Sequence, residues 1–351
     1  MPGPGPGWPT MPGVSSRLRV SPRLFRRLAT MSVVALSLII VTGAAVRLTG
    51  SGLGCPDWPS CYQHHLAAAW SFHPMVEFTN RLITIWVVVV VTATTAAALL
   101  RRPRRADLVW LAAGELVGVL GQAVLGGLTV LFQLAPELVM AHFALSVAVL
   151  ADAIALHRRS GLASTPPRAM VGRHLIWSGR LLLVGLSVVI LAGTATTGSG
   201  PHAGSPQATR LPFAFRSVAE FHATLAMLLV GFVVGIVVAA YQAGVPEEVR
   251  KRAGVLLVAV VAQGIIGYSQ YFLRVPAGIV ELHIIGVTLL WIVAQRFHLG
   301  LFHRPALDLA PRALLVSPGP PEAAVGAPPG VPVAPGGARP TGEALGPDPQ
   351  P

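Results

Sequence analysis

Eight apolar runs, each near 20 residues long, dominate the chain and leave it few ways to fold. They lie at roughly 29–48, 73–99, 107–131, 139–156, 175–197, 217–241, 253–273 and 279–297. At about 1.5 Å of rise per residue, a helix of that length crosses the ~30 Å hydrocarbon core of a bilayer. In lipid every backbone polar group must be satisfied within the spanning structure, and apolar runs of this length do so as helices. Composition points the same way: 53% of residues are hydrophobic and only 11% charged, against about 25% charged in soluble domains. The chain is therefore predicted to be an all-α membrane protein with eight transmembrane helices.

A net charge of +12 would suit a nucleic-acid partner, but the positions of the arginines argue against one. Arg17, Arg19, Arg23, Arg26 and Arg27 precede the first run, and Arg101, Arg102, Arg104 and Arg105 separate the second from the third. Arg158, Arg159, Arg168 and Arg173 lie between the fourth and fifth, and Arg250, Lys251 and Arg252 between the sixth and seventh. The alternate connections hold little beyond Arg47, Arg210, Arg216 and Arg274. Positive charge accumulates on cytoplasmic loops. This predicts a multi-pass protein of the cell membrane, both termini cytoplasmic and no nucleic acid bound. Residues 1–28 read as a disordered cytoplasmic N-terminus, Pro/Gly-rich over 1–16 and without the apolar core of a cleavable signal. Residues 298–351 read as a disordered cytoplasmic tail, dominated by Pro, Ala and Gly from 305 onward.

The interior repeats itself. GQAVLGGLTVLFQLAPELVMAHFALS (121–146) lies over AQGIIGYSQYFLRVPAGIVELHIIGV (262–287) without a gap, so that Gln122 meets Gln263, Gly126 meets Gly267 and His142 meets His283. TGAAVRLTGSG (42–52) resembles AGTATTGSG (192–200), and MVEFTNRLIT (75–84) aligns with VAEFHATLAM (218–227), which pairs Glu77 with Glu220. Four runs per repeat give both halves the same orientation. The chain is thus divided into a first four-helix half at 29–156, a cytoplasmic linker at 157–174 and a second half at 175–297. The two bundles are expected to be related by a pseudo-twofold axis along the membrane normal.

Topology also sets depth. His142, His222 and His283 fall within a turn or two of the outer ends of the fourth, sixth and eighth runs, and Glu77 and Asn80 hold the matching place on the second. Ionisable groups at such depths are costly unless paired or ligated. Neutral imidazole is a good axial ligand for haem iron, and a bundle core suits a flat macrocycle clamped between facing helices. Arg81 stands four residues from Glu77, the spacing of a helical ion pair. The remaining outer-side histidines, among them His65, His73 and His202, fall in loops or at helix entrances.

GSGLGCPDWPSC (50–61) holds both cysteines of the chain. The orientation places this stretch on the oxidising side, where a Cys55–Cys61 disulfide can persist. Such a bond would either staple the loop or open and close as a redox pair.

These pieces together resemble the haem A synthase family, membrane enzymes that oxidise haem O to haem A for cytochrome oxidases. The resemblance rests on VRLTGSGLGCPDWPSC (46–61), EFTNR (77–81), GGLTVLFQLAPELVMAHF (126–143), TGSGPHAG (197–204), EFHATLA (220–226) and LHIIG (282–286), and covers roughly residues 29–297. It implies an oxidoreductase with haem b held by His222 and His283 in the second half. It also implies that the substrate, haem O, binds in the first half with His142 on its iron and Asn80 and Arg81 beside it. Glu77 matches the family's essential acid, and Cys55 and Cys61 are implied to take part in the cycle. A ring methyl would be hydroxylated twice and lose water to become a formyl group. Implied partners are haem O synthase as supplier, the cytochrome oxidase assembly route as recipient, a quinone or other electron acceptor, and a second copy of the chain. The sequence departs from the commoner pattern at Asn80, where most members carry a histidine, and in the loop TGSGPHAGSPQ, where some carry a second cysteine pair. A b-type cytochrome that only passes electrons from quinol is the rival reading. Ligands sharing one depth, with one ligand absent, disfavour it.

Overall fold

A computed structural model describes residues 19–62 and 65–307. The readings of residues 1–16 and of the tail beyond 307 fall outside the described residues. Eight helices follow one another: α1 (Pro22–Leu48), α2 (Phe72–Leu100), α3 (Ala106–Leu131), α4 (Pro136–Ser160), α5 (Arg173–Ser199), α6 (Phe215–Gln242), α7 (Glu247–Phe272) and α8 (Ala277–Gly300). All eight are long and apolar enough to span a membrane. Side chains that a soluble protein would bury face outward along them, among them Val89, Leu228 and Val258, as a lipid-facing surface requires.

The helices extend the apolar runs at their polar ends. α1 begins at Pro22 rather than near residue 29 because Ser21 caps it, its side chain accepting from the Leu24 N–H at 3.2 Å, with proline in the first turn. Residues 22–28, expected to be disordered, are therefore helical. At the other end, Phe302–His303 pairs antiparallel with Arg168–Ala169, and Leu162 bridges to Ala306, so the chain stays ordered past residue 298.

Successive helices run antiparallel. α1–α4 close a four-helix ring, α1 against α2, α2 against α3, α3 against α4 and α4 back on α1, and α5–α8 close a second in the same order. The rings meet through α1 with α8, α4 with α5, and α4 with α8. These contacts map onto themselves when the halves are exchanged, as a twofold relation demands. One face of the molecule carries both ends of the described chain (the termini face), and the opposite face carries the cysteine loop (the loop face). The duplication reaches the backbone. Gln133 and Leu134 (φ 49° and 63°) turn the chain between α3 and α4, and Arg274 and Val275 (φ 63° and 59°) turn it at the equivalent place between α7 and α8. Non-glycine residues rarely occupy this left-handed region, so retaining it twice shows that both turns descend from one geometry. The Trp291 indole of α8 ties the halves by donating to the Val147 carbonyl of α4 at 3.1 Å.

Close helix approach depends on Gly118, where a Cβ would lie 2.4 Å from Val149 Cγ2 across the α3–α4 contact. Overpacking at such a site typically costs about 1–3 kcal/mol. We expect Gly118→Ala to lower the thermal unfolding midpoint of the detergent-solubilised protein, and Val149→Ala in the same chain to recover part of the loss. Additive effects of the two changes would show that the contact is not the cause.

Candidate functional site

The three histidines sit at one level, six or seven residues inside α4, α6 and α8 from the loop face. Each ring is seated on a glycine of the neighbouring helix. A Cβ at Gly126 would lie 3.3 Å from His142 Cε1, one at Gly193 would lie 3.0 Å from His222 Cε1, and one at Gly267 would lie 3.2 Å from His283 Cε1. A glutamine pins two of these turns: Gln122 Nε2 donates to the His142 carbonyl at 3.0 Å, and Gln263 Nε2 to the His283 carbonyl at 2.9 Å. The alignment had paired the two glutamines without revealing this latch.

The imidazoles differ in what they bind. His222 Nδ1 stands 3.0 Å from the Val189 carbonyl, to which it donates, leaving the lone pair on Nε2. The Nδ1 atoms of His142 and His283 are buried with no hydrogen-bond partner. The His222 and His283 ring centroids are 6.4 Å apart, with planes at 77°. An imidazole nitrogen bonds a transition metal at ~2.0 Å and lies about 1.1 Å from its own ring centre, so two axial imidazoles on one ion stand about 6 Å apart. The second-half pair therefore fits a metal bound between two imidazoles. Among the described residues no group of three or more His, Cys, Asp or Glu could hold a bare ion. The donor set suits a haem iron, which brings its own four equatorial ligands.

The first half lacks the second imidazole. The buried positions Val87, Val91, Thr94 and Ala98 of α2 correspond to Leu229, Val233, Ile236 and Ala240 of α6. This register matches Asn80 to His222 and separates Glu77 from Glu220, correcting the ungapped alignment by one residue. Glu220 is an exposed partner of Arg216 at 2.7 Å, in contrast to the buried Glu77. Asn80 Oδ1 accepts from the Thr42 hydroxyl at 2.9 Å. The seat itself persists: Gly43, matching Gly193, has nothing within 4 Å of where a Cβ would stand.

Glu77 is 5% exposed and is engaged by the loop above it. Its Oε2 accepts from the Cys55 N–H at 2.9 Å, and its Oε1 meets Arg81 Nη2 at 2.6 Å. Arg81 in turn donates to the carbonyls of Cys55 (3.0 Å), Asp57 (3.0 Å) and Ser60 (2.9 Å). Cys55 and Cys61 are disulfide-bonded and buried, so the loop is closed covalently and pinned electrostatically on α2. Trp58 projects from it onto α3, where a Cβ at Gly127 would lie 2.7 Å from the indole. His73 Nδ1 contacts the Ser51 hydroxyl at 3.0 Å, and His202 Nε2 donates to the Val275 carbonyl at 2.9 Å. Both hold the loop face together.

A cavity of about 1040 Å³ runs beneath this loop and is lined from both bundles, slightly larger than the ~300–1,000 Å³ of typical small-molecule sites. Glu77, Asn80, Arg81, His142, His222 and His283 all face it, with Trp58 at its edge. The expected site residues are thus gathered around one space, with Cys55 and Cys61 above it.

Residues 26–295 match the model of the cytochrome oxidase assembly protein family, COX15-CtaA. The chain belongs to this family. Among its relatives, a protein of Shewanella oneidensis named "Heme A synthase" is 24% identical over 324 residues, covering 79% of this chain and 96% of that one. Proteins of the same name from Geobacillus kaustophilus (35% over 108 residues) and Shouchella clausii (26% over 144 residues) match shorter stretches, 33% and 48% of their own lengths. Membership places the chain in cytochrome oxidase assembly and agrees with the haem-shaped donor set.

Arg81 joins Glu77 to the loop carbonyls of Cys55, Asp57, Pro59 and Ser60, so its removal strands a buried carboxylate and frees the loop. We expect Arg81→Ala to accelerate hydrogen exchange of the Cys55 amide at least about tenfold, equivalent to ~1.4 kcal/mol. Unchanged exchange would show that the disulfide alone orders the loop.

Proposed function

We propose that the chain is a haem A synthase of the cell membrane with both termini in the cytoplasm, oxidising a methyl group of haem O to a formyl group. The observation that carries this reading is the convergence of three imidazoles on one membrane-level cavity in a member of this assembly family. His222 and His283 hold a resident haem b in the second half, and His142 receives the iron of haem O in the first. The bound haem supplies the redox chemistry, and the protein's own groups orient the substrate and handle protons.

Asn80 is a poor iron ligand, and with Gly43 it leaves the side of the first-half site opposite His142 free of imidazole. Glu77 borders that side with its carboxylate held at the cavity edge, where it can take a proton from the reacting methyl position. Arg81 and the Cys55–Cys61 loop fix Glu77 in place and shield the site from water. Haem O synthase supplies the substrate; with a quinone or similar acceptor taking the electrons removed from the methyl group, water supplies the formyl oxygen and protons are released to balance the charge. A simple electron-carrying cytochrome has no use for a loop-covered acid beside one haem position.

Co-expression with a haem O synthase, followed by acid extraction and chromatography of the haems, tests the reading. We expect haem A to accumulate. A folded, haem-loaded protein that never yields haem A would refute the activity. His222→Ala and His283→Ala are each expected to lower resident haem content more than about tenfold, the loss typical of disrupted metal sites. His142→Ala should retain that haem while losing haem A. Carbon monoxide should bind haem held in the first half of the native protein and fail to bind in Asn80→His. Equal binding in both would show that Asn80 does not define the open side. Cys55→Ser/Cys61→Ser should keep haem content while loosening the loop, and full turnover in that variant would exclude a redox role for the pair.

A further inference from the structure

A second polar cluster lies in the first bundle, on the termini-face side of the cavity. Each of its four helices contributes one member: Ser32 from α1, Thr94 from α2, Glu115 from α3 and Asp152 from α4. Counted from the helix ends at that face, they lie six to ten residues deep, about 9–15 Å at ~1.5 Å per residue. Ser32, Thr94 and Glu115 are each 0% exposed. The Ser32 and Thr94 hydroxyls are 3.1 Å apart, and Asp152 packs beside Glu115: a Cβ at Gly114, the preceding residue of α3, would lie 3.2 Å from Asp152 Oδ2. Neither oxygen of Glu115 has a hydrogen-bond partner within 3.5 Å, and Asp152 Oδ2 is likewise buried without one. Among the described residues neither carboxylate makes an ion pair. Arg159, two turns along α4 toward the termini face, is the charged side chain that faces Asp152.

The duplication shows that the architecture does not need this cluster. The equivalent positions of the second bundle are Leu182, Ile236, Leu256 and Val293, so all four polar residues are matched by apolar ones. The surrounding core agrees position by position, Ala112 with Ala253 and Ala153 with Ala294, each 0% exposed. Two carboxylates with no cation between them cannot both remain charged at this depth. One bound proton neutralises one of the two and removes the repulsion between them.

We propose that Glu115 and Asp152 together form a proton-binding site that carries one proton and exchanges it with the termini face. Ser32 and Thr94 add two hydroxyls to the same layer, that of Thr94 donating to the Val90 carbonyl at 2.8 Å. Exchange is one-sided because a layer one turn thick closes the way to the cavity: Leu36, Val87, Val119 and Val149 are each 5% exposed or less. Toward the termini face, Asp152 looks along α4 to Arg159, whose carbonyl accepts from Arg105 at 3.1 Å in a polar rim. The site is separate from the haem chemistry proposed above, since none of its four members lines the cavity that the histidines face.

Infrared spectroscopy of the full-length protein in detergent tests this. At neutral pH we expect a carbonyl band of a protonated carboxylic acid that shifts in D₂O and is lost or displaced in both Glu115→Gln and Asp152→Asn. Absence of the band from the native protein, or its persistence unchanged in both variants, would overturn the proposal. A band that vanishes on adding sodium or potassium at fixed pH would also overturn it, because the pair would then bind a metal cation. The variant Ser32→Leu/Thr94→Ile/Glu115→Leu/Asp152→Val copies the second bundle and should fold, keep the haem content of the native protein and lack the band. If that variant does not fold, the two single amide variants decide the question alone.

Discussion

The cost of holding polar side chains at lipid depth governs how this protein is built. Unpaired polar groups in an apolar medium are penalised by several kcal/mol, so each histidine must be oriented by its neighbours or satisfied by a ligand. The bundle meets this demand locally. A glycine on the adjacent helix admits each ring, and in two cases a glutamine grips the carbonyl of the same turn. With the backbone pinned, His142 and His283 hold Nδ1 buried against their glycine seats, which leaves Nε2 as the nitrogen for a ligand supplied from outside the chain. The same logic governs Glu77. Its charge is tolerated because Arg81 and the Cys55 N–H converge on it, and this convergence ties the disulfide loop to the helix beneath.

Much of this arrangement was legible in the residues. Length and apolarity identify eight spanning helices. The ungapped match between 121–146 and 262–287 identifies the duplication, and the placement of His142, His222 and His283 at helix entrances identifies the site level. What remained hidden depended on helix phase. Aligning Glu77 with Glu220 looked natural because both follow similar short stretches, yet a shift of one residue turns a side chain by about 100° around a helix. Burial sets the phase correctly, leaving Glu220 on the outside with Arg216 and putting Asn80 where His222 stands. The start of α1 was missed for a different reason: an apolar-run criterion discards the arginines of the first turn, although Ser21 and Pro22 mark a helix N-terminus. The targets of Arg81 could not be read at all, since backbone carbonyls leave no trace in side-chain pattern.

The duplication also makes the molecule its own control. Where both halves agree, at the glutamine latches, the ring-seating glycines and the left-handed turns at 133–134 and 274–275, the shared feature serves the shared task of presenting a histidine. Where they differ, one half has acquired or lost something the fold does not require. The second half keeps two imidazoles and an apolar core, which suits the resident haem proposed for it. The first half exchanges one imidazole for Asn80, adds a covalently closed loop with an acid beneath it, and carries carboxylates below the cavity.

These differences bear on one another. Under the proposed function, the first half must release its product and should grip it less firmly than a site for a resident group, as a single imidazole would. A reacting site gains from exclusion of water, which the Trp58 loop provides in the first half, the only half with a disulfide among the described residues. Of the first bundle's acids, Glu77 lines the cavity, whereas Glu115 and Asp152 lie beyond the apolar layer beneath it. Under the proposed function, divergence of two equal bundles into a holding half and a reacting half accounts for Asn80 and Glu77 without a change in helix packing, because these positions and their equivalents, His222 and Ala219, all line the cavity.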